Sequence, residues 1–200
     1  MKYEEVKRKF EERKIRFEFV GGKTELMNRL NELIQDGDVV SNGGSTTLAE
    51  LGVYDYLRKR DITYLDRSVE GVDVNKCYHD AFNADVYLSS SNAITKNGEI
   101  FNIDGNGNRV SALIYGPKKV IIVVGENKLV NDLAEARSRV KREAAPKNAK
   151  RLEAETPCSY TGNCADCRAP RRLCCYEVAI EFQREQDRMY VLMVEGSYGY

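Results

Sequence analysis

Val120-Ile121-Ile122-Val123-Val124 is an unbroken run of β-branched residues. Such side chains are stiff and favour extended backbone. With no polar alternation, the run belongs to a strand covered on both faces, as at the centre of a parallel sheet. Parallel neighbours need helical crossovers, and the chain supplies the material. Ile15, Phe17 and Phe19 alternate with charged residues as in a strand. Val39-Val40, Ile62 to Leu65, Val86 to Leu88 and Arg188 to Val194 are further strands. Helical spacing appears in Tyr3, Val6 and Phe10. It recurs in Leu26, Leu30, Leu33 and Ile34, with Thr24 as the expected cap. Leu48, Leu51, Tyr54 and Leu57 mark another helix, and residues 74–84 one more. A long helix is expected to carry Leu129, Leu133, Ala136 and Val140 and to stop near Pro146. Lys96 to Arg109 reads as a Gly/Asn-rich hairpin. The predicted class is α/β, a mostly parallel sheet flanked by helices with a C-terminal Cys-rich segment at about residues 156–176, all in a single domain 1–200.

Composition removes several functions. The 200 residues hold 31 Lys+Arg and 31 Asp+Glu, a net charge of zero. A general nucleic-acid binder needs a basic excess. No stretch approaches the roughly 18 apolar residues of a membrane span. No apolar run follows Met1 to Glu5, so no leader is expected and the protein is expected in the cytoplasm. Its six cysteines are then reduced, metal-bound or redox-active. A homodimer is the default oligomer.

Two polar segments follow predicted strands. In Ser41-Asn42-Gly43-Gly44-Ser45-Thr46-Thr47, glycines permit close approach and hydroxyls add donors at a helix start. That is a recipe for an anion, with Gly43, Gly44, Ser45, Thr46 and Thr47 as candidate binding residues. The plain alternative is one capped helix after a tight turn. No Lys follows the glycines, so this is no Walker loop, and no nucleotide cofactor is evident. Ser89 to Thr95 follows the second strand. Ligands in open α/β sheets sit beyond the carboxyl ends of strands, so the two loops are expected to line one crevice. Asn92 is a candidate donor there. Asn102 to Arg109 reads as a turn, because Asn-Gly and Asp-Gly favour positive φ. Arg109, beside Asn108, can also reach an anion as a fork, with Asp104 orienting it or acting as base. The later Glu of a calcium loop is absent. His79, the sole histidine, is read as a partly exposed helical residue, and Cys77 as apolar filler.

Five cysteines fall within 18 residues: Cys158, Cys164, Cys167, Cys174 and Cys175. Cys164 and Cys167 form a C-x2-C pair, and Cys158 and Cys174 can complete four thiolates. Such a set suits zinc or an iron–sulfur cluster. A redox switch or unligated thiols are the alternatives. Arg168, Arg171 and Arg172 are expected to lower the thiol pKa values.

Several separate motifs together resemble the LUD domain, the lactate-utilization family. They are Gly43-Gly44-Ser45-Thr46-Thr47-Leu48-x-x-Leu51-Gly52, Asn92-Ala93-Ile94-Thr95-x-x-Gly98 leading to Asp104-Gly105-x-Gly107-Asn108-Arg109, and Gly116-Pro117-Lys118-Lys119-Val120-Ile121. Ala145-Pro146-x-Asn148-Ala149-x-Arg151 and Thr156-Pro157-Cys158-x-x-Thr161-Gly162-x-Cys164-x-Asp166-Cys167 complete the set. The resemblance spans nearly the whole chain. It implies the NagB/RpiA/CoA transferase-like fold of ribose-5-phosphate isomerase, glucosamine-6-phosphate deaminase and CoA transferases. Some relatives are one component of an iron–sulfur L-lactate oxidation system. It therefore implies an accessory redox component with a small carboxylate or phosphorylated ligand and a redox partner subunit. Asn92-Ala93-Ile94-Thr95-x-Asn97-Gly98 is also similar to the Asp-Ala-Ile-Thr-x-Asn-Gly segment of methylthioribose-1-phosphate isomerases. The catalytic Asp of that segment is replaced here by Asn92, which cannot take a proton as a carboxylate does. The CoA-transferase Glu has no counterpart; Glu99 lies in the expected hairpin. A stand-alone phosphosugar enzyme with Asp104 as base, and a metal- or redox-responsive binding protein, are the rival functions.

Overall fold

A computed structural model describes residues 3–200; Met1 and Lys2, where the expectation about a leader begins, lie outside the described residues. Six strands form a parallel sheet: β1 (Arg16–Val20), β2 (Val39–Asn42), β3 (Thr63–Tyr64), β4 (Val86–Ser89), β7 (Lys119–Gly125) and β10 (Met189–Val194). Their order is β1-β10-β7-β4-β2-β3, and every pairing is parallel. The β-branched run is the buried body of β7, between β10 and β4. Val120, Ile122 and Val124 enter one core with Phe10, Phe17, Leu113 and Val191, while Ile121 and Val123 enter another with Leu26, Leu30, Leu48 and Leu57. The first core lies under α1 (Glu4–Glu12) and α6 (Asn108–Ile114). The second lies under α2 (Lys23–Leu33), α3 (Thr46–Glu50) and α4 (Val53–Arg58). Residues alternating along one strand thus bury on opposite faces, as an all-apolar strand requires.

A smaller sheet, β8-β5-β6-β9, stands beside the first. It contains β5 (Ala93–Thr95), β6 (Ile100–Asp104), β8 (Leu129–Val130) and β9 (Tyr176–Ile180). A third apolar cluster joins Ala93, Phe101 and Val130 to Ala136, Val140 and Ala144. Among the described residues no helix is long and apolar enough to cross a membrane.

Several local expectations are corrected. The hairpin turns at residues 96–98, where Gly98 takes φ +85° with Lys9 backbone too close for a Cβ. The later Gly/Asn stretch is no hairpin; it carries β6 into α6, with Gly107 (φ +79°) at the helix cap. Leu129 is in a strand. The helix behind it starts as α7 (Leu133–Arg139), passes through a π-helical turn at Val140–Ala144 and continues as α8 (Ala145–Arg151). Pro146 therefore sits within a continuing helix, directly behind the π-helical turn, and does not stop it. Thr24 lies inside α2; Gly22 holds the cap, and Glu25 accepts the Gly21 N–H at 2.7 Å. The helix through Leu48 and Leu57 is broken at Gly52 (φ +75°). α5 (Val74–Asp80) buries no residue, so Cys77 is half-buried on a surface helix instead of filling a core.

Candidate functional site

Strands β7, β4 and β2 are adjacent and parallel, so their carboxyl ends open side by side. A cavity of about 250 Å3 lies beyond them. Gly44 to Thr47 reach it from β2, Ser90 to Asn92 from β4 and Lys128 from β7. Asp104, Asn108 and Arg109 close it from β6 and α6; Asn148 and Arg151 arrive from α8, and Tyr200 from the last described segment. The two polar loops therefore line one crevice. Gly43 is the candidate that does not line it. It is buried beneath the cavity wall, where a Cβ would press on Arg109 Cδ at 3.0 Å and Ser89 Oγ at 3.1 Å.

The Gly43–Thr47 hydroxyls divide their work. Ser45 Oγ accepts the Leu48 N–H at 3.2 Å and caps α3. Thr47 Oγ1 donates to the Tyr198 carbonyl at 3.1 Å and accepts from Lys128. Among the described residues the Thr46 hydroxyl has no protein partner, so it is the hydroxyl left for a ligand. α3 has only five residues, and its aligned peptide dipoles contribute little. The expected anion attraction must come from side-chain charge instead.

Arg109 also departs from expectation. Nη1 donates to the Ser90 carbonyl at 3.1 Å and to Asn102 Oδ1 at 2.5 Å. Nη2 donates to the Ile103 carbonyl at 3.0 Å and to Asn92 Oδ1 at 3.3 Å. Nε faces Asp104 Oδ2 at 3.4 Å. The fork is spent on the protein. Arg109 ties the β4 loop to β6 and supplies charge through the wall. Burial lowers its pKa against the pull of Asp104. Asp104 Oδ1 accepts the Gly107 N–H at 3.0 Å, while Oδ2 makes the ion pair but no hydrogen bond. Asn92 Oδ1 also accepts the Ile103 N–H at 2.9 Å. Among the described residues its NH2 has no acceptor, which leaves Asn92 a donor toward the cavity.

Lys128 was missed in the sequence. It looks like a solvated turn lysine between Asn127 and Leu129, yet it is 3% exposed. Its Nζ donates to Thr47 Oγ1 at 2.7 Å, Ser90 Oγ at 3.0 Å and the Ser91 carbonyl at 3.1 Å. Burial, then Arg139 and Arg109, push its pKa down to about 7. Its position just past the carboxyl end of the central strand was the available signal. Arg139 was missed too. From α7 its Nε holds the Asn127 carbonyl at 3.1 Å and its Nη1 the Asn92 carbonyl at 2.8 Å. It anchors the loops carrying Lys128 and Asn92 from behind. Of the residues lining the cavity, Lys128, Arg109, Arg151 and Arg172 are cationic and Asp104 alone is a carboxylate.

All five clustered cysteines line a neighbouring cavity of about 220 Å3, walled off by Ile103, Arg172 and Leu173. α9 (Pro157–Thr161) presents Cys158, and irregular chain carries the others. All are free thiols. Burial, reinforced by Cys164, Cys158 and Cys167, pushes the Cys174 thiol up to about 11; Arg172 pulls the other way and loses. The expected arginine activation therefore fails at Cys174. Arg172 instead laces the segment. Its Nε donates to the Cys174 carbonyl at 2.7 Å, its Nη1 to the Cys167 carbonyl, and its Nη2 pairs with Asp166 at 3.3 Å. Among the described residues no three His, Cys, Asp or Glu side chains converge to hold a metal ion.

A family profile described as the LUD domain matches residues 3–194. This chain belongs to the LUD domain family. A DUF162 family protein from Deinococcus radiodurans shares 16% identity and a TM-score of 0.54, over 98% of this chain and 99% of that one. That likeness shows the fold of this LUD domain, with its mostly parallel sheet and flanking helices. A variant of the decarboxylase AibA/AibB aligns at 13% identity and a TM-score of 0.41, over 86% of this chain and 88% of that one. No curated protein matches the chain.

Proposed function

We propose that this LUD domain binds a small carboxylate or phosphorylated ligand and serves as an accessory component of a lactate-utilization-type redox system. The observation that carries the reading is the buried Lys128 ammonium at the strand ends, in a cavity with one carboxylate among its lining residues. Burial makes its charge costly unless an anion compensates it. Thr46 and Asn92 supply hydrogen bonds, and Lys128 the charge. The cysteine segment is the second half of the proposal, with a redox partner subunit to receive electrons. Its donor set is chemically suited to zinc or an iron–sulfur cluster: Cys158, Cys164, Cys167 and Cys174 face one cavity and are soft ligands. They lie near one another without converging, so loading requires the segment to tighten. A bound metal would supply thiolate stabilisation and, as a cluster, electron storage.

The test is elemental analysis and visible absorption on protein purified without oxygen, with calorimetry against L-lactate and inorganic phosphate. Stoichiometric iron or zinc together with binding of either anion supports the reading. Lys128→Met should weaken that binding at least ~10-fold, about 1.4 kcal/mol, through loss of the buried positive charge, since its three N–H donors are held by Thr47, Ser90 and Ser91. No metal and no anion binding would sink it. Asp104 Oδ2, buried without a hydrogen bond, favours a second reading, in which Asp104 is the base of a phosphosugar isomerase; turnover of a phosphosugar by metal-free protein, abolished in Asp104→Asn, would select it.

A further inference from the structure

A second chamber of about 400 Å3 adjoins the first cavity across the loop, and the two share Gly44, Ser45, Thr46 and Arg151 as a common wall. The chamber has aromatic sides, Tyr54 and Tyr64, and Arg67 also lines it. Tyr54 is fixed by the loop itself. Its hydroxyl accepts the Ser45 N–H at 2.9 Å and lies 3.1 Å from the Ser45 carbonyl. Tyr64 donates to Asn42 Oδ1 at 2.5 Å. Both rings are held as firm walls.

The charges in this chamber are unequal. Arg58 is neutralised by Asp66 at 2.8 Å and Asp55 at 3.0 Å. Arg67 and Arg151 have no carboxylate partner among the described residues. Arg67 rests on Tyr78, donating to its hydroxyl at 3.1 Å with the guanidinium 5.4 Å from the ring centre. Arg151 donates to the Tyr200 hydroxyl and to Asn148 Oδ1, both at 2.7 Å. Both guanidiniums line this one chamber. Arg67 also comes down onto the shared wall. A Cβ at Gly44 would sit 2.3 Å from its Nη2, so a side chain there would push the flexible Arg67 head aside. A guanidinium free of carboxylates, braced on an aromatic ring and aimed across a loop, suits the planar recognition of a second anionic group.

We propose that the ligand is two-ended, a carboxylic acid bearing a phosphoryl group at its far end, which spans Gly44 with one anion in the main cavity and the other on Arg67 and Arg151. This deepens the anion-binding reading and rests on it. A simple hydroxy acid fills only the first chamber. A phosphorylated acid adds contacts in the second without moving the first.

Calorimetry with D-glycerate, inorganic phosphate, 3-phosphoglycerate and 6-phosphogluconate tests it. At least one two-ended acid should bind ten times tighter or more than both D-glycerate and phosphate. In Arg67→Gln that advantage should fall below twofold while D-glycerate affinity holds. Gly44→Ala, which displaces the flexible Arg67 head but keeps its charge, should erode it as well. If D-glycerate or phosphate binds but neither two-ended acid binds tighter, the two-ended ligand is overturned and the anion site stands. An advantage that survives in Arg67→Gln also overturns it. If none of the four probes binds, the anion-binding reading itself fails.

Discussion

Lys128 and Cys174 mark two neighbouring cavities divided by Ile103, Arg172 and Leu173. Lys128 is held by acceptors from two separate strand ends, and Arg109 and Arg139 lock the surrounding loops through backbone carbonyls far apart in sequence. Cys174 lies in irregular chain, and its neighbours bond mainly to one another. Arg172 binds carbonyls two and five residues away, and Thr161 and Asn163 bond within their own turn. The first cavity is organised by the sheet before any ligand arrives. The second is organised locally; burial holds the Cys174 thiol protonated, and among the described residues its thiols do not converge on a metal-holding site. Anion recognition gains from a fixed charge because no reorganisation is required on binding. Thiol coordination tolerates a loose segment because ligation energy can order it.

The most damaging change to this contrast is Arg109→Ala. It leaves the buried Asp104 carboxylate unpaired and frees four acceptors, so it should cost about 3–5 kcal/mol in urea unfolding. A loss under ~1 kcal/mol would show that the wall is not braced by this residue. Next is pH. Burial lowers Lys128 from the ordinary 10.5 to about 7, so its charge is present below pH 7 and lost above. Anion affinity should therefore hold below pH 7 and fall toward tenfold per unit above it, read by calorimetry. Ligand-free stability should move the other way. Between about 7 and 10.5 the unfolded chain keeps a proton that the folded one releases, so stability rises with pH in that window. A flat affinity profile from pH 6 to 9 would remove Lys128 from recognition. The smallest effect belongs to the second cavity. In metal-free protein Cys164→Ser should change unfolding by no more than ~0.5 kcal/mol. A loss above ~2 kcal/mol would mean that the segment is as rigidly built as the strand ends, and the contrast would break.

Much of the frame was legible from residue order. An apolar run with no polar alternation can only be a strand buried on both faces, and Val120 to Val124 is that strand. Its parallel neighbours placed Gly44 to Thr47 and Ser90 to Asn92 at one edge, so the crevice followed. The errors arose where short-range signals compete. Asn-Gly and Asp-Gly mark a turn, but they do not say whether a strand or a helix follows, so the start of α6 read as hairpin. Leu129 fits a helical stripe until β5 offers it a pairing. Pro146 reads as a stop, yet the helix runs on through it behind a π-helical turn. Likewise, Arg172 beside thiols suggests activation, yet burial outweighs it at Cys174.

The sequence by itself determined the sheet, its central strand and the two loops at its edge, because these depend on spacings within a dozen residues. It also determined that thiols would crowd one segment. Only the tertiary structure decided which charge faces the cavity. Lys128 becomes a buried amine because Thr47, Ser90 and Ser91 close over it from other strands. Arg109 becomes a brace because Asn92, Asn102 and Asp104 surround it. Desolvation and hydrogen-bond satisfaction depend on what arrives through space, and no local spacing records that.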